Sequence, residues 1–294
     1  MNKKRIGLFA LAAAMISLVT SACSNSQSTT SSNVKVKSSG STATLFFHGW
    51  GSSSKAEDFM AQGIKDSGAT KTIIKANVSP SKKVTFNRNF SSKTKNPVIE
   101  VNIEDNKLEH LMKNSSDYAS VYPESGNYVK AAIQAVEKKT KSKNINLVGH
   151  SMGNLEIMNY INSNATKKDF PNLKHVVSIA GHYDGIIGED DKANQIKLAK
   201  NGKPNVMRPE YRELLGLRKK FPKNTRVLNI YGDKQDGTHS DGPVANNSSR
   251  SLKYLLNNRA KSYQELKISG KNAQHSKLHH NVKVNDAIIK FLFK

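Results

Sequence analysis

The sequence predicts an α/β fold over residues 41–294: a mostly parallel central sheet with helices on both faces, interrupted by one inserted cap. Three observations carry this. Short β-rich runs alternate with stretches of helical spacing, and several runs are apolar at consecutive positions, as strands buried on both faces must be. A chain of 294 residues, 36% hydrophobic, also suffices for one sizeable core without a second full domain.

In chain order, the first segment stands outside that core. Lys3, Lys4 and Arg5 precede an apolar run from Ile6 to Val19, then Thr20, Ser21, Ala22 and Cys23, the pattern of a secretory signal over residues 1–22. The run is shorter than the ~20 apolar residues that span a bilayer. Cys23 is the single cysteine, so the chain has no disulfide framework. "VTSAC" resembles the lipobox of bacterial lipoproteins, which implies lipid attachment at Cys23 and a mature protein held outside the cell membrane; plain secretion is the alternative. Residues 23–40, rich in Ser and Thr and poor in large apolar side chains, read as a tether.

The expected strands are Thr42–Phe47, Lys71–Val78, Pro97–Ile103, Asn144–Gly149, His175–Gly181, Arg226–Gly232 and Tyr263–Ser269. Val129, Ala132, Ile133 and Val136 fall at i, i+3, i+4 and i+7, an amphipathic helix that covers the sheet. Val284, Ala287, Ile288, Phe291 and Leu292 form a second such stripe, expected to pack on the final strand. About residues 182–222 the alternation lapses into a polar stretch too long for an ordinary connection, which reads as the cap.

Charge bounds the function. The chain carries 46 Lys and Arg against 23 Asp and Glu, a net of +23, and removing residues 1–22 leaves +20. The cations are spread along the chain, aromatic residues are 7%, and no zinc spacing or basic-aromatic interleaving occurs, so no nucleic-acid partner is expected. An anionic envelope polymer remains a partner that such charge could meet.

The chemistry concentrates at "INLVGHSMGNLEIMNYI". A serine between two glycines, where a strand-like run becomes helix-like, is the setting of a nucleophile elbow. Ser151 then sits on a strained turn, and Gly149 and Gly153 supply the missing Cβ atoms that let backbones pass closely. The Met152 amide opens the helix, where free N–H groups favour a developing oxyanion, and the loop "HGWG" after the first strand offers the Trp50 amide as second donor. A serine needs a base and the base an orienting acid, and in this architecture they follow downstream, acid first. Asp233, Asp236 and Asp241 share the loop after "RVLNIYG", and His275, His279 and His280 the one after "YQELKISG".

Strand-HGWG, GHSMGN, the Asp-Gly-x-Val turn and HSxLHxN together resemble the DUF915 group of bacterial α/β hydrolases, often described as cell-surface hydrolases. The resemblance implies the α/β-hydrolase fold, Ser151 as nucleophile, Asp241 as acid and His275 as base, with Asp236 the alternative acid. His48 and His150 read as structural, and His279 and His280 as shaping the histidine loop. A metal site from His239, Asp241, His279 and His280 has no diagnostic spacing, so no metal and no cofactor are expected. The expected activity is that of a membrane-tethered carboxylesterase on small, short-acyl esters, because a cap carrying Glu189, Asp190 and Asp191 ill suits long acyl chains. The alternative is a non-catalytic surface lipoprotein that grips an anionic polymer.

Overall fold

The computed structural model describes residues 31–36, 40–91, 94–115 and 117–294. The signal segment and Cys23 lie outside the described residues. Within them one sheet of eight strands runs β3-β2-β4-β1-β5-β6-β7-β8. The strands are β1 (Ala43–Phe47), β2 (Ile73–Val78), β3 (Val84–Phe86), β4 (Val98–Ile103), β5 (Asn144–His150), β6 (Asn172–Ile179), β7 (Arg226–Asp233) and β8 (Ser262–Ser269). All neighbours are parallel except β2 and β3. β3 is the one strand the sequence does not announce: three partly exposed residues, too few to show a period, paired to β2 in a hairpin.

The helices are α1 (Asp58–Asp66), α2 (Glu109–Met112), α3 (Tyr118–Thr140), α4 (Met152–Asn164), α5 (Pro209–Glu213), α6 (Leu217–Lys220), α7 (Asn246–Arg250), α8 (Leu252–Leu256) and α9 (Val282–Phe293). Strand side chains alternate between two cores. Leu45, Phe47, Ile99, Val101, Leu147 and Val176 face α3, α4 and α8, where Val129, Ala132, Ile133 and Val136 are buried as their spacing predicts. Phe46, Val98, Val148, Val177 and Ile230 face the layer of α1 and α9. Each large side chain so buried contributes about 1.5–3 kcal/mol, which is why the central strands need no polar face.

One expectation differs from the structure. α9 buries Val284, Ile288, Ile289 and Leu292 in a cluster shared with α1, the inner strands and Ile268 of β8, while Leu266 and Phe291 stay partly covered beside a groove between β8 and α9. The difference is that residues 31–36, within the expected tether, pack as a strap across α1 and α9. Ser31 donates to Asp66 (2.7 Å), Ser32 to Asp286 (2.7 Å), Asn285 to the Ser31 carbonyl (2.6 Å), and Val34 is buried. Composition could not reveal this, since the partners lie on α1 and on a helix some 250 positions away. A Cβ on Gly63 would lie 1.8 Å from the Asn285 amide, so the strap needs that glycine.

Between β6 and β7 the expected cap is a string of turns followed by α5 and α6. Buried Arg208 organises it: its guanidinium donates to the carbonyls of Asp184 (2.8 Å) and Asp190 (2.7 Å) and to the Asp191 carboxylate (3.0 Å).

Candidate active site

The turn between β5 and α4 has the geometry that its glycines suggest. Ser151 adopts φ 52°, ψ −123°, a region that a residue with a Cβ occupies only when its surroundings impose it. Three contacts impose it here. The Ser151 amide donates to the Ile179 carbonyl (2.9 Å), and the Asn154 side-chain amide donates to the carbonyls of both Ser151 (3.1 Å) and Ile179 (2.9 Å). A Cβ on Gly149 would stand 2.9 Å from the Asn154 nitrogen, and one on Gly153 only 2.4 Å from the Phe47 carbonyl oxygen. Both glycines are therefore sites of backbone crossing. Asn154 is a site residue that motif reading passes over; its signal is a polar side chain in the first turn of a helix otherwise buried all round.

The loop after β1 lies directly on this turn, since a Cβ on Gly49 would be 2.9 Å from that of Ser151. His48 braces the loop from inside: its Nδ1–H donates to the Gly49 carbonyl (2.9 Å) and Nε2 accepts from the Ile103 amide (3.1 Å). That pattern fixes a neutral imidazole, and burial lowers its pKa in the same sense. Trp50 is 45% exposed and meets Tyr118 edge-on at 5.0 Å, so it forms part of the rim rather than of the core. Met152 opens α4, one of the first-turn amides for which an α-helix has no internal acceptor.

At the ends of β7 and β8 the structure brings Asp241 and His275 together. His275 Nδ1 donates to Asp241 Oδ2 at 2.8 Å, the Val244 amide donates to Oδ1 at 2.9 Å, and the His275 amide donates to the Asp241 carbonyl at 3.0 Å. Asp241 is 1% exposed. With Nδ1 committed as donor, His275 keeps its lone pair on Nε2. The loops meet this closely because Gly232 separates them; a Cβ there would stand 2.0 Å from the Ala273 carbonyl oxygen.

The other acids lie apart. Asp236 is at the surface, bound by Lys234 (2.8 Å) and Thr238, and the Lys234 contact holds its carboxyl well below the usual range. Asp233 is buried but taken by Lys267 (2.6 Å) and Asn246 (3.0 Å). His239 points outward beside Asp233, and both Asp241 oxygens are occupied, so the imagined metal set is not assembled. Among the described residues no group of three or more His, Cys, Asp or Glu is arranged to hold a metal.

His150, His182 and His279 cluster around His275. The His150 ring lies tilted at 4.8 Å from that of His275 and donates Nε2–H to the His275 carbonyl (3.2 Å); His279 lies 4.7 Å from His150. Burial first, then neighbouring imidazoles, lower the pKa of His150 well below its ordinary value, of His182 to about 3 and of His279 to about 4. These shifts favour the neutral form of the imidazoles around His275. Sequence reading does not single out His182, which comes from the start of the cap.

A serine held in a strained turn, amides beside it, and an imidazole with one nitrogen committed to a buried carboxylate are the parts that nucleophilic acyl transfer needs. Among the described residues no helix is long and apolar enough to cross a membrane.

Two solved structures share this architecture. The lin2722 gene product of Listeria innocua is 21% identical, with a TM-score of 0.73 over 86% of this chain and 94% of that one. A cell-surface hydrolase candidate from Lactobacillus plantarum WCFS1 is 17% identical, with a TM-score of 0.64 over 87% of this chain and 91% of that one. At such identities the likeness speaks for the fold. No curated protein matches the chain. The model of the family described as alpha/beta hydrolases of unknown function, DUF915, matches residues 31–294, and the chain belongs to that family.

Proposed function

We propose that the chain is an extracytoplasmic serine hydrolase, tethered to the membrane through Cys23, that cleaves short-acyl carboxylic esters with Ser151, His275 and Asp241. The observation that carries the reading is the 2.8 Å bond from His275 Nδ1 to buried Asp241, in a protein whose serine occupies a strained strand-to-helix turn. In the first step His275 Nε2 takes the Ser151 proton as Oγ attacks the ester carbonyl carbon. The carbonyl oxygen becomes an oxyanion held by the Trp50 and Met152 amides. His275 then gives its proton to the departing alkoxide, leaving an acyl-serine and a free alcohol. Water, deprotonated by the same nitrogen, attacks the acyl carbon, and the proton returns to Ser151 as the acid leaves. Asp241 holds the tautomer throughout and stabilises the imidazolium.

Short acyl groups suit the rim. Trp50 and Tyr118 stand beside the serine loop, and Glu210 and Glu189 of the cap come close enough to add, after burial and Glu156, to the upward push on the pKa of buried Tyr122. A rim bearing carboxylates is a poor channel for a long hydrocarbon. The test is hydrolysis of p-nitrophenyl acetate, butyrate and palmitate by the wild-type chain and Ser151→Ala. Turnover of the short esters that vanishes in the variant supports the reading; turnover that survives it defeats the mechanism. For the tether, metabolic labelling with an alkynyl fatty acid should mark the wild-type chain and leave Cys23→Ala unmarked.

A further inference from the structure

The catalytic loops leave the C-terminal ends of the parallel strands. At the opposite end, roughly 23 Å away along β7, two cavities adjoin. One of about 240 Å³ lies under the first residues of the sheet, and one of about 570 Å³ is the groove between β8 and α9. They share Arg226, Phe291 and Lys294 in their linings, so they adjoin across these side chains as the two lobes of a cleft.

We propose that this cleft is a second site, which binds a flexible phosphate-bearing polymer through Lys174, Arg226, Lys261, Lys290 and Lys294. All five cations line it and are exposed. Among the described residues none of the five has a carboxylate partner. The one acidic side chain in the lining, Glu265, is engaged by Arg250 (3.0 Å) and by the Tyr263 hydroxyl (2.9 Å). The positive field is felt inside the cleft: after burial, Arg226 and Lys174 are what push the His175 imidazole down to about 4.

Shape selects the ligand. A bilayer is met by a convex face with apolar side chains ready to insert, whereas these cations stand on the walls of a groove. The exposed large hydrophobics among the described residues, Trp50 and Val206, belong to the β1 loop and the cap rather than to this cleft. Single-stranded nucleic acid would need free aromatic faces for stacking, and the Phe291 ring is edge-on against His175 at 5.1 Å. A linear polyphosphate or phosphodiester chain without bases needs only spaced cations in a channel. Each phosphate neutralised releases counterions, so affinity should fall with salt by a log–log slope of about −0.7 per contact.

The experiment is fluorescence anisotropy of labelled linear polyphosphate with the purified chain over 50–300 mM NaCl. It compares wild type, a cleft triple Lys174→Gln/Arg226→Gln/Lys290→Gln, and a control triple of equal net charge, Lys113→Gln/Lys192→Gln/Lys203→Gln. The cleft triple should weaken binding at least tenfold at 100 mM salt and flatten the salt slope by about 2, while the control changes affinity by less than threefold. Equal weakening by both triples would reduce the effect to diffuse charge and overturn the site, as would absence of binding. Vesicles of phosphatidylcholine with one quarter phosphatidylglycerol form the second arm, and binding to them that depends on the cleft while polyphosphate binding does not would assign it to lipid and overturn the polymer. Ester hydrolysis by the cleft triple should match wild type, and Ser151→Ala should keep its affinity for the polymer, so the two sites fail or stand separately.

Discussion

Gly153→Ala should cut turnover by about 10²-fold while leaving a folded protein. The new Cβ would lie 2.4 Å from the Phe47 carbonyl oxygen and 2.8 Å from that of His48, both backbone atoms at the end of β1. An unstrained carbon–oxygen contact is near 3.4 Å, so the two segments must part by about 1 Å. β1 is held between β4 and β5 along its whole length, so the movement falls on the free end of the strand and the His48–Gly51 loop. In the proposed mechanism that loop carries the Trp50 amide, so its displacement would remove a donor from the reacting oxygen rather than merely loosen the core. Overpacking of this kind costs about 1–3 kcal/mol of stability, a loss of several degrees in Tm for a domain of this size. The assay is kcat and KM on p-nitrophenyl acetate at a temperature well below both Tm values. A fall in kcat with KM nearly unchanged is expected. Wild-type kcat in a variant of normal Tm would mean that the crossing is not as tight as described and that the loop does not supply the donor.

Three other outcomes follow from the same geometry. Asp241→Asn should lower kcat by about 10⁴-fold, because an amide cannot hold the Nδ1–H tautomer and also stabilise the imidazolium, while Asp236→Asn should stay within a few-fold of wild type; steady-state kinetics decide it. Arg208→Gln should destabilise by about 3–5 kcal/mol, read as a lower urea midpoint, because it strands the buried Asp191 carboxylate and two carbonyls. Glu57 is 1% exposed, and burial, with Glu100 behind it, pushes its carboxyl up to about 8. The unfolded chain ionises it near 4.5 and the folded chain only near 8, so the contribution of this carboxyl to stability declines as pH rises between those values and levels off above them. Glu57→Gln should flatten that decline by a few kcal/mol when urea unfolding is followed from pH 5 to pH 8.

Legibility in the sequence tracked how local the physics was. Strands such as Leu45–Phe47 and Leu147–Val148, and the stripe of Val129, Ala132, Ile133 and Val136, state their environment by spacing, and the sheet they build is the one expected. The elbow was legible because glycines on either side of a serine leave few other uses, and Phe47 and Asn154 prove to be the backbones and side chains that they clear. The choice among acids was less so: three aspartates within nine positions are equivalent as letters, and only the path of the β7 loop past Gly232 sets Asp241, rather than Asp233 or Asp236, against His275. The strap at Ser31–Val34 depends on Asn285 and Asp286, far along the chain, and so has no local signature. The same holds for Arg208, whose carbonyl partners are fixed only once the cap has folded around it, and for the basic cleft, assembled from cations that sequence spreads apart.

The central claim is that Ser151 becomes covalently acylated with His275 as its base. The direct measurement is intact-protein mass spectrometry after a rapid quench with p-nitrophenyl acetate, run on wild type, Ser151→Ala and His275→Ala. One acetyl adduct is expected on wild type, mapped by peptide fragmentation to Ser151, with none on Ser151→Ala and accumulation slowed by several orders of magnitude in His275→Ala. An adduct on another residue, or an undiminished one in Ser151→Ala, would contradict that claim.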